Sequence, residues 1–157
     1  MERSLAGVRA LVTGAGGGIG RAIAVRLAVG GCRVAVADIR TDPNEQTAAL
    51  IREASGEALA LTVDMARRED IDRMVAETVA AWGGLEVLVN NAGVGAAGFI
   101  EQVADADIEH TYAVNLVGVL RATRAAAPHL KQSGRGRIVN IASVEGIRGS
   151  GLLPVYS

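Results

Sequence analysis

Five short apolar runs punctuate the chain, rich in valine, leucine and isoleucine and with little alternation: Val8–Thr13, Arg33–Asp38, Ala58–Val63, Glu86–Asn90 and Arg137–Ala142. A strand covered on both faces has no solvent side on which to place polar residues, so runs of this kind read as buried parallel strands. Between them, apolar positions recur at helical spacing over Ile19–Val29, Asn44–Ala54, Glu69–Trp82 and Ala104–Lys131. Gly30-Gly31 and Gly83-Gly84 close the first and third of these segments as C-terminal caps. Asp42 followed by Pro43 reads as an N-cap with proline at the first helical position. Strand and helix alternate with short links, which predicts an α/β fold with a doubly wound parallel sheet, Rossmann-like, of five strands. After the fifth strand come a loop, Val144–Leu153, and then Pro154-Val155-Tyr156-Ser157, where another helix should begin. The expectation is one domain over 1–157, C-terminally incomplete and lacking its later strands. Its apolar fifth strand would need cover from the missing part or from another chain.

Composition changes this picture little. Half of the 157 residues are hydrophobic and 21% are charged, with 20 glycines and only 3 prolines, which is a globular balance rather than a disordered one. The net charge of −1, with the signs interspersed, leaves no footprint for nucleic acid or an anionic membrane. No apolar run reaches about 18 residues, and residues 1–14 lack the basic and apolar regions of a leader. Cys32 stands alone, which suits a reducing compartment, so a cytoplasmic location is expected. His110 and His129 have no second ligand at metal-binding spacing and read as surface residues. Trp82 is expected to pack the third helix on the sheet.

The first strand breaks into Gly14-Ala15-Gly16-Gly17-Gly18-Ile19-Gly20, and a helix begins at once. Strand, glycine turn and helix together aim backbone N–H groups and a helix N-terminus at a phosphate. Asp38 closes the second strand roughly 20 residues on, where a dinucleotide fold sets an acid on the adenosine ribose. A helix-capping Asp is the competing reading. An ionised Asp38 would repel a 2′-phosphate, and Gly17 leaves no cation in the loop to balance one. Arg40 argues mildly the other way. The expected cofactor is NAD, with NADP the second choice.

These residues resemble the short-chain dehydrogenase/reductase family, and the resemblance spans the chain. Thr13-Gly14-x-x-x-Gly18-x-Gly20 matches the family's glycine motif, and Asn90-Asn91-Ala92-Gly93 after the fourth strand matches its Asn-Asn-Ala-Gly. The resemblance implies that this second segment supports the sheet and lies along the adenosine ribose. A plain Asx turn is the alternative. Asp64-Met65 falls at the family's adenine-binding position, where a carboxylate accepts from the adenine amino group and the next N–H donates to a ring nitrogen. A cap for the Arg67–Trp82 helix explains Asp64 equally simply.

The resemblance further implies a catalytic set of Asn115, Ser143 and Tyr156, with Tyr156 following Ser143 by 13 positions. Asn115 would anchor a water in a proton relay, although an Asn satisfied within the core is the bland alternative. Ser143 would orient the substrate oxygen. Tyr156 would be the general acid–base, its phenol brought down from about 10 by a lysine four residues on. That lysine falls past Ser157, so the 157-residue chain is expected to be inactive. The expected activity of the parent is NAD-dependent hydride transfer between a secondary alcohol and a ketone, of the EC 1.1.1 type. The partners expected are a small-molecule alcohol or ketone and further copies of the chain, in a homodimer or homotetramer packed along Val114, Val117, Leu120 and Ala125. A non-catalytic or truncated dinucleotide-binding module is the alternative. Methyltransferase and epimerase readings are disfavoured, since neither explains Ser143 and Tyr156 at this spacing together with Asn115.

Overall fold

Alternate residues of each central strand enter two separate cores. In the computed structural model, which describes residues 5–157, strand β1 (Arg9–Thr13) sends Ala10 and Val12 to one face and Leu11 to the other. Strand β2 (Arg33–Asp38) divides Val34 and Val36 from Ala35 and Ala37 in the same way. Helices α1 (Gly18–Val29) and α2 (Thr41–Glu53) seal the first face with Ala24, Ala48 and Ile51. Helix α3 (Arg68–Trp82) seals the second with Ile71, Met74 and Val75. Trp82 packs against that core as expected.

With β3 (Glu57–Thr62), β4 (Val87–Asn90) and β5 (Arg137–Asn140), the sheet is parallel throughout in the order β3-β2-β1-β4-β5. The chain runs outward from β1 to β3 and then crosses back to place β4 on the other side of β1. That reversal opens a crevice beyond the carboxyl ends of β1 and β4, the place where such sheets bind ligands. The expected Rossmann-like α/β architecture is therefore the observed one.

Three expectations need correction. The single helix over Ala104–Lys131 is instead α4 (Asp105–Tyr112), a π-helical segment (Ala113–Gly118) and α5 (Val119–Gln132). Gly118 lies in the widened turn, where a side-chain carbon would come within 2.6 Å of the Met65 carbonyl oxygen. Helix α2 begins at Thr41 with Arg40 as its cap residue, so Asp42 and Pro43 lie inside its first turn. The cause is Asn44, whose amide donates to Val36 O at 2.9 Å and Leu61 O at 3.0 Å and draws that turn onto the sheet. Finally, β5 is not covered on both faces: all of its residues are exposed, Ile138 and Val139 among them. The loop after it also holds a short helix, α6 (Glu145–Arg148). The remaining strand and helix ends differ by a residue or two from those read in the sequence, a normal spread for element ends. The leader reading over residues 1–14 falls partly on residues 1–4, which lie outside the described residues.

The amino ends of the strands carry a buried ion pair. The Arg9 N–H donates to Glu86 Oε2 at 2.8 Å, the Arg9 Nε donates to the same oxygen at 2.9 Å, and Nη2 donates to Oε1. Nη1 donates to the Trp82 carbonyl at 3.1 Å, tying the end of α3 to β1. The Glu86 side chain is 3% exposed and that of Arg9 is 21% exposed. Chiefly through the Arg9 hydrogen bond, the Glu86 carboxyl is held below the usual carboxylate range despite its burial.

Candidate active site

Two segments converge on the crevice between β1 and β4. The glycine loop leaves the end of β1, and Asn90-Asn91-Ala92-Gly93 leaves the end of β4. Thr13 joins the two: its hydroxyl accepts from the Asn91 N–H at 3.0 Å and the Ala92 N–H at 3.1 Å. Asn91 returns the tie through Nδ2, donating to Thr13 O at 2.9 Å and Gly14 O at 3.2 Å. Gly14, at φ 65°, sits beneath this strap, and a side-chain carbon there would approach Ala92 Cα to 2.8 Å. The Asn-Asn-Ala-Gly segment thus locks the loop to the sheet.

Asp38 is 6% exposed, and its carboxylate touches the same loop. Oδ2 accepts from the Gly16 N–H at 2.9 Å; Oδ1 accepts from the Arg40 N–H at 3.0 Å and from Arg40 Nε at 3.1 Å. Burial is the largest influence on this carboxyl and pushes it up. The Arg40 side chain, the two backbone N–H groups and the Arg40 charge together outweigh burial and leave it below the usual range. A side-chain carbon at position 16 would lie 2.7 Å from Asp38 Cγ, so the third residue of the loop must be glycine for the acid to sit here.

Asp38 lines a cleft of about 310 Å³ with Gly14, Ile39, Arg40, Val63, Asp64, Met65 and His110. Asp64 turns its Oδ1 to the Ala66 N–H at 2.8 Å, an Asx turn ahead of α3, and its N–H donates to Asp70 Oδ2 at 3.0 Å. It is therefore both a local turn-former and a wall of the cleft. His110 is exposed but lines the same cleft. Its position four residues before the buried Val114, on the same side of a helical stretch, was the signal that could have revealed it.

A second cleft, of about 810 Å³, holds Ile19, Asn90, Asn115, Asn140, Ser143 and Tyr156. Asn91, Ala92, Gly93 and Val94 line both clefts, so the two meet along that segment in a bipartite groove. The structure brings Asn115, Ser143 and Tyr156 to one wall although they are far apart in sequence. The Tyr156 ring packs over Gly95, where a side-chain carbon would lie 3.5 Å from Cδ2. Ser143 Oγ accepts from the Glu145 N–H at 3.2 Å, at the start of α6. The Asn115 side chain has the backbone partners of a locally satisfied Asn: Oδ1 accepts from the Val94 N–H at 2.9 Å, and Nδ2 donates to the Val94 carbonyl at 2.7 Å. Its amide clamps the loop after β4, and the π-helical turn around it is the kind of irregularity frequent at functional sites.

A dinucleotide fits this groove. Gly18, at φ 50°, faces open space, with nothing within 4 Å of an added side-chain carbon. That space adjoins the first turn of α1, whose leading N–H groups lack intrahelical acceptors and can receive a phosphate. Asp38 lines the first cleft and Ser143 and Tyr156 line the second. Among the described residues, no cluster of His, Cys, Asp or Glu could hold a metal.

Comparison with known proteins agrees with this fold. Residues 9–157 match the family model for short chain dehydrogenase. An uncharacterized oxidoreductase of Thermotoga maritima is 40% identical over 94% of this chain, and a sorbitol dehydrogenase of Cereibacter sphaeroides is 39% identical over 97%. The L-2,3-butanediol dehydrogenase of Corynebacterium glutamicum is 34% identical over 94% of the chain. The crystal structure of an NAD+-bound xylitol dehydrogenase superposes with a TM-score of 0.92 at 33% identity, covering 97% of this chain and 59% of that one. The chain spans 58–59% of the length of the three curated relatives.

Proposed function

The chain belongs to the short-chain dehydrogenase family, and from that premise we propose that residues 1–157 are the dinucleotide-binding domain of an NAD-dependent oxidoreductase interconverting a secondary alcohol and a ketone. The observation that carries the reading is the bipartite groove, with buried Asp38 at one end and Asn115, Ser143 and Tyr156 at the other. Asp38 accepts from the adenosine ribose hydroxyls, and Asp64 with the Met65 N–H faces the adenine. Gly14 through Gly20, Ile19 included, present the N-terminus of α1 to the pyrophosphate. Asn90, Asn91, Ala92 and Gly93 form the floor between the two ends. When bound, the nicotinamide supplies the hydride acceptor or donor. Tyr156 exchanges the substrate hydroxyl proton, and Ser143 fixes the substrate oxygen beside it. Asn115 holds Val94 and so shapes the wall they share.

The relatives are named for sorbitol and 2,3-butanediol, and the solved structure for xylitol, so polyols and diols are the first substrates to assay. NADH fluorescence titration, in parallel with NADPH, tests the cofactor. Asp38→Asn keeps the shape and removes the charge. It is expected to weaken NADH by about 10–100-fold, the worth of hydrogen bonds to a charged acceptor, and to narrow the preference over NADPH. Unchanged affinity for both cofactors would exclude Asp38 as the ribose acid.

The stripe expected to form a subunit interface needs revision, because Val114 is buried in the core and Ala125 packs against it. The exposed row is Tyr112, Leu116 and Leu120, at 52%, 51% and 60%. We place the interface of a homodimer or homotetramer there, at helical spacing along α4 and α5. Light scattering should find a multimer that Leu120→Glu dissociates; a monomeric parent protein would end this reading. Among the described residues no helix is long and apolar enough to cross a membrane. Burial, reinforced by the Glu86 charge, pushes the Cys32 thiol up to about 11. An inert, unpaired thiol accords with the cytoplasmic location we propose.

A further inference from the structure

The glycine loop is held from behind by a side chain that takes no part in the groove. Arg21, in the first turns of α1, donates from Nη2 to Gly16 O at 2.6 Å and to Pro43 O at 3.2 Å. Its Nε donates to Thr47 Oγ1 at 2.9 Å. Thr47, fully buried on α2, has its hydroxyl 2.9 Å from Ala15 O and 3.1 Å from Pro43 O. A hydroxyl has a single proton, so it can serve one of those carbonyls at a time. The Arg21 donor to Pro43 O leaves that proton to Ala15 O, while Nε occupies a lone pair of the hydroxyl and fixes its orientation.

With these bonds in place, every backbone polar group of Ala15 and Gly16 has a partner within the protein. The Ala15 N–H donates to Ala37 O at 3.0 Å, the Gly16 N–H to Asp38, Ala15 O accepts from Thr47 and Gly16 O from Arg21. The N–H groups that follow, in the first turn of α1, have no intrahelical acceptors, and the space beside Gly18 is open. A glycine-rich stretch is the segment of a chain with the most conformational freedom to lose. Something outside it must hold it in the receiving geometry, and its own side chains cannot.

We propose that Arg21, acting with Thr47, is a positioning residue that presets the glycine loop for the cofactor's pyrophosphate. The inference rests on the dinucleotide reading above, so NADH binding by the unaltered protein is measured first; absence of that binding removes the reading itself rather than the role of Arg21. The pair to compare is then NADH, which engages the loop, and adenosine, which occupies only the Asp38 end and is measured by its displacement of NADH. Arg21→Ala is expected to weaken NADH about tenfold, the worth of the lost charge-assisted bonds, and adenosine by less than about twofold. Arg21→Lys, with one cationic donor in place of a fork, should recover part of the loss. Thr47→Val, nearly isosteric, should show the same selectivity and serves where Arg21→Ala fails to fold. Equal weakening of both ligands would reduce Arg21 to a general prop of the fold, and wild-type NADH affinity in Arg21→Ala and Thr47→Val would overturn the proposal.

Discussion

In the full-length parent protein, Tyr156→Phe is expected to lower the rate of NAD-dependent alcohol oxidation by about 10²–10⁴-fold, the usual worth of a general acid–base. The substitution removes only the hydroxyl. The ring that packs over Gly95 remains, so the wall it forms with Ser143 and Asn115 keeps its shape. NADH affinity should therefore change little, because the groups proposed to hold the cofactor lie on the loop, on Asp38 and along the strap after β4. Steady-state kinetics with a polyol or diol, beside an NADH titration, separates the two effects. A variant that turns over at the wild-type rate would remove Tyr156 from the chemistry; one that loses cofactor and rate together would make it a binding residue instead.

The second large effect is expected far from the groove. Glu86→Gln leaves the Arg9 guanidinium without its carboxylate at the amino end of the sheet, where Arg9 also holds the last turn of α3. Breaking a buried pair costs about 3–5 kcal/mol, and the low end applies because a fifth of the Arg9 side chain still meets water. That corresponds to a fall of roughly 6–12 °C in Tm for a domain of this size. The effect should depend on pH. In the folded state the Glu86 carboxyl titrates below the ordinary glutamate value of about 4.3. Its contribution is thus complete above that value and is lost as the pH falls through the lower, folded-state value. Thermal unfolding followed from neutral pH into acid should show a wide gap between the two proteins at neutrality that narrows below about pH 4. A constant gap would mean that the carboxylate charge is not what Arg9 depends on.

Much of the cofactor end was legible in the sequence because its requirements are local. Positive φ and close backbone approach demand glycine, so Gly14 and Gly16 can be read wherever they stand. Asp38 could be found by spacing, since a strand, turn and helix have nearly fixed lengths. The long helix was misread for the opposite reason. Apolar periodicity records which residues face inward, but not that the Asn115 amide would bind both polar groups of Val94 or that the turn would widen beside Met65. The same limit applies to the start of α2. The Asp-Pro pair is a sound local signal, yet the helix starts two residues earlier, where Asn44 bonds to the carbonyls of Val36 and Leu61.

Arg21 and Thr47 carried no motif at all. Each matters through partners distant in the chain, and sequence order gives no measure of such distances. The chain by itself determined the alternation of strand and helix, the two-faced burial of the central strands, and the residue types able to receive a phosphate and a ribose. Those properties follow from backbone sterics and from keeping apolar area out of water. The tertiary structure alone decided that β4 lies beside β1, so that the glycine loop and Asn90–Gly93 meet across a crevice. It decided as well that Asn115, Ser143 and Tyr156 share one wall, and that Arg21 reaches behind the loop. Contacts between distant segments depend on how whole faces pack, and no local stretch of sequence contains that information.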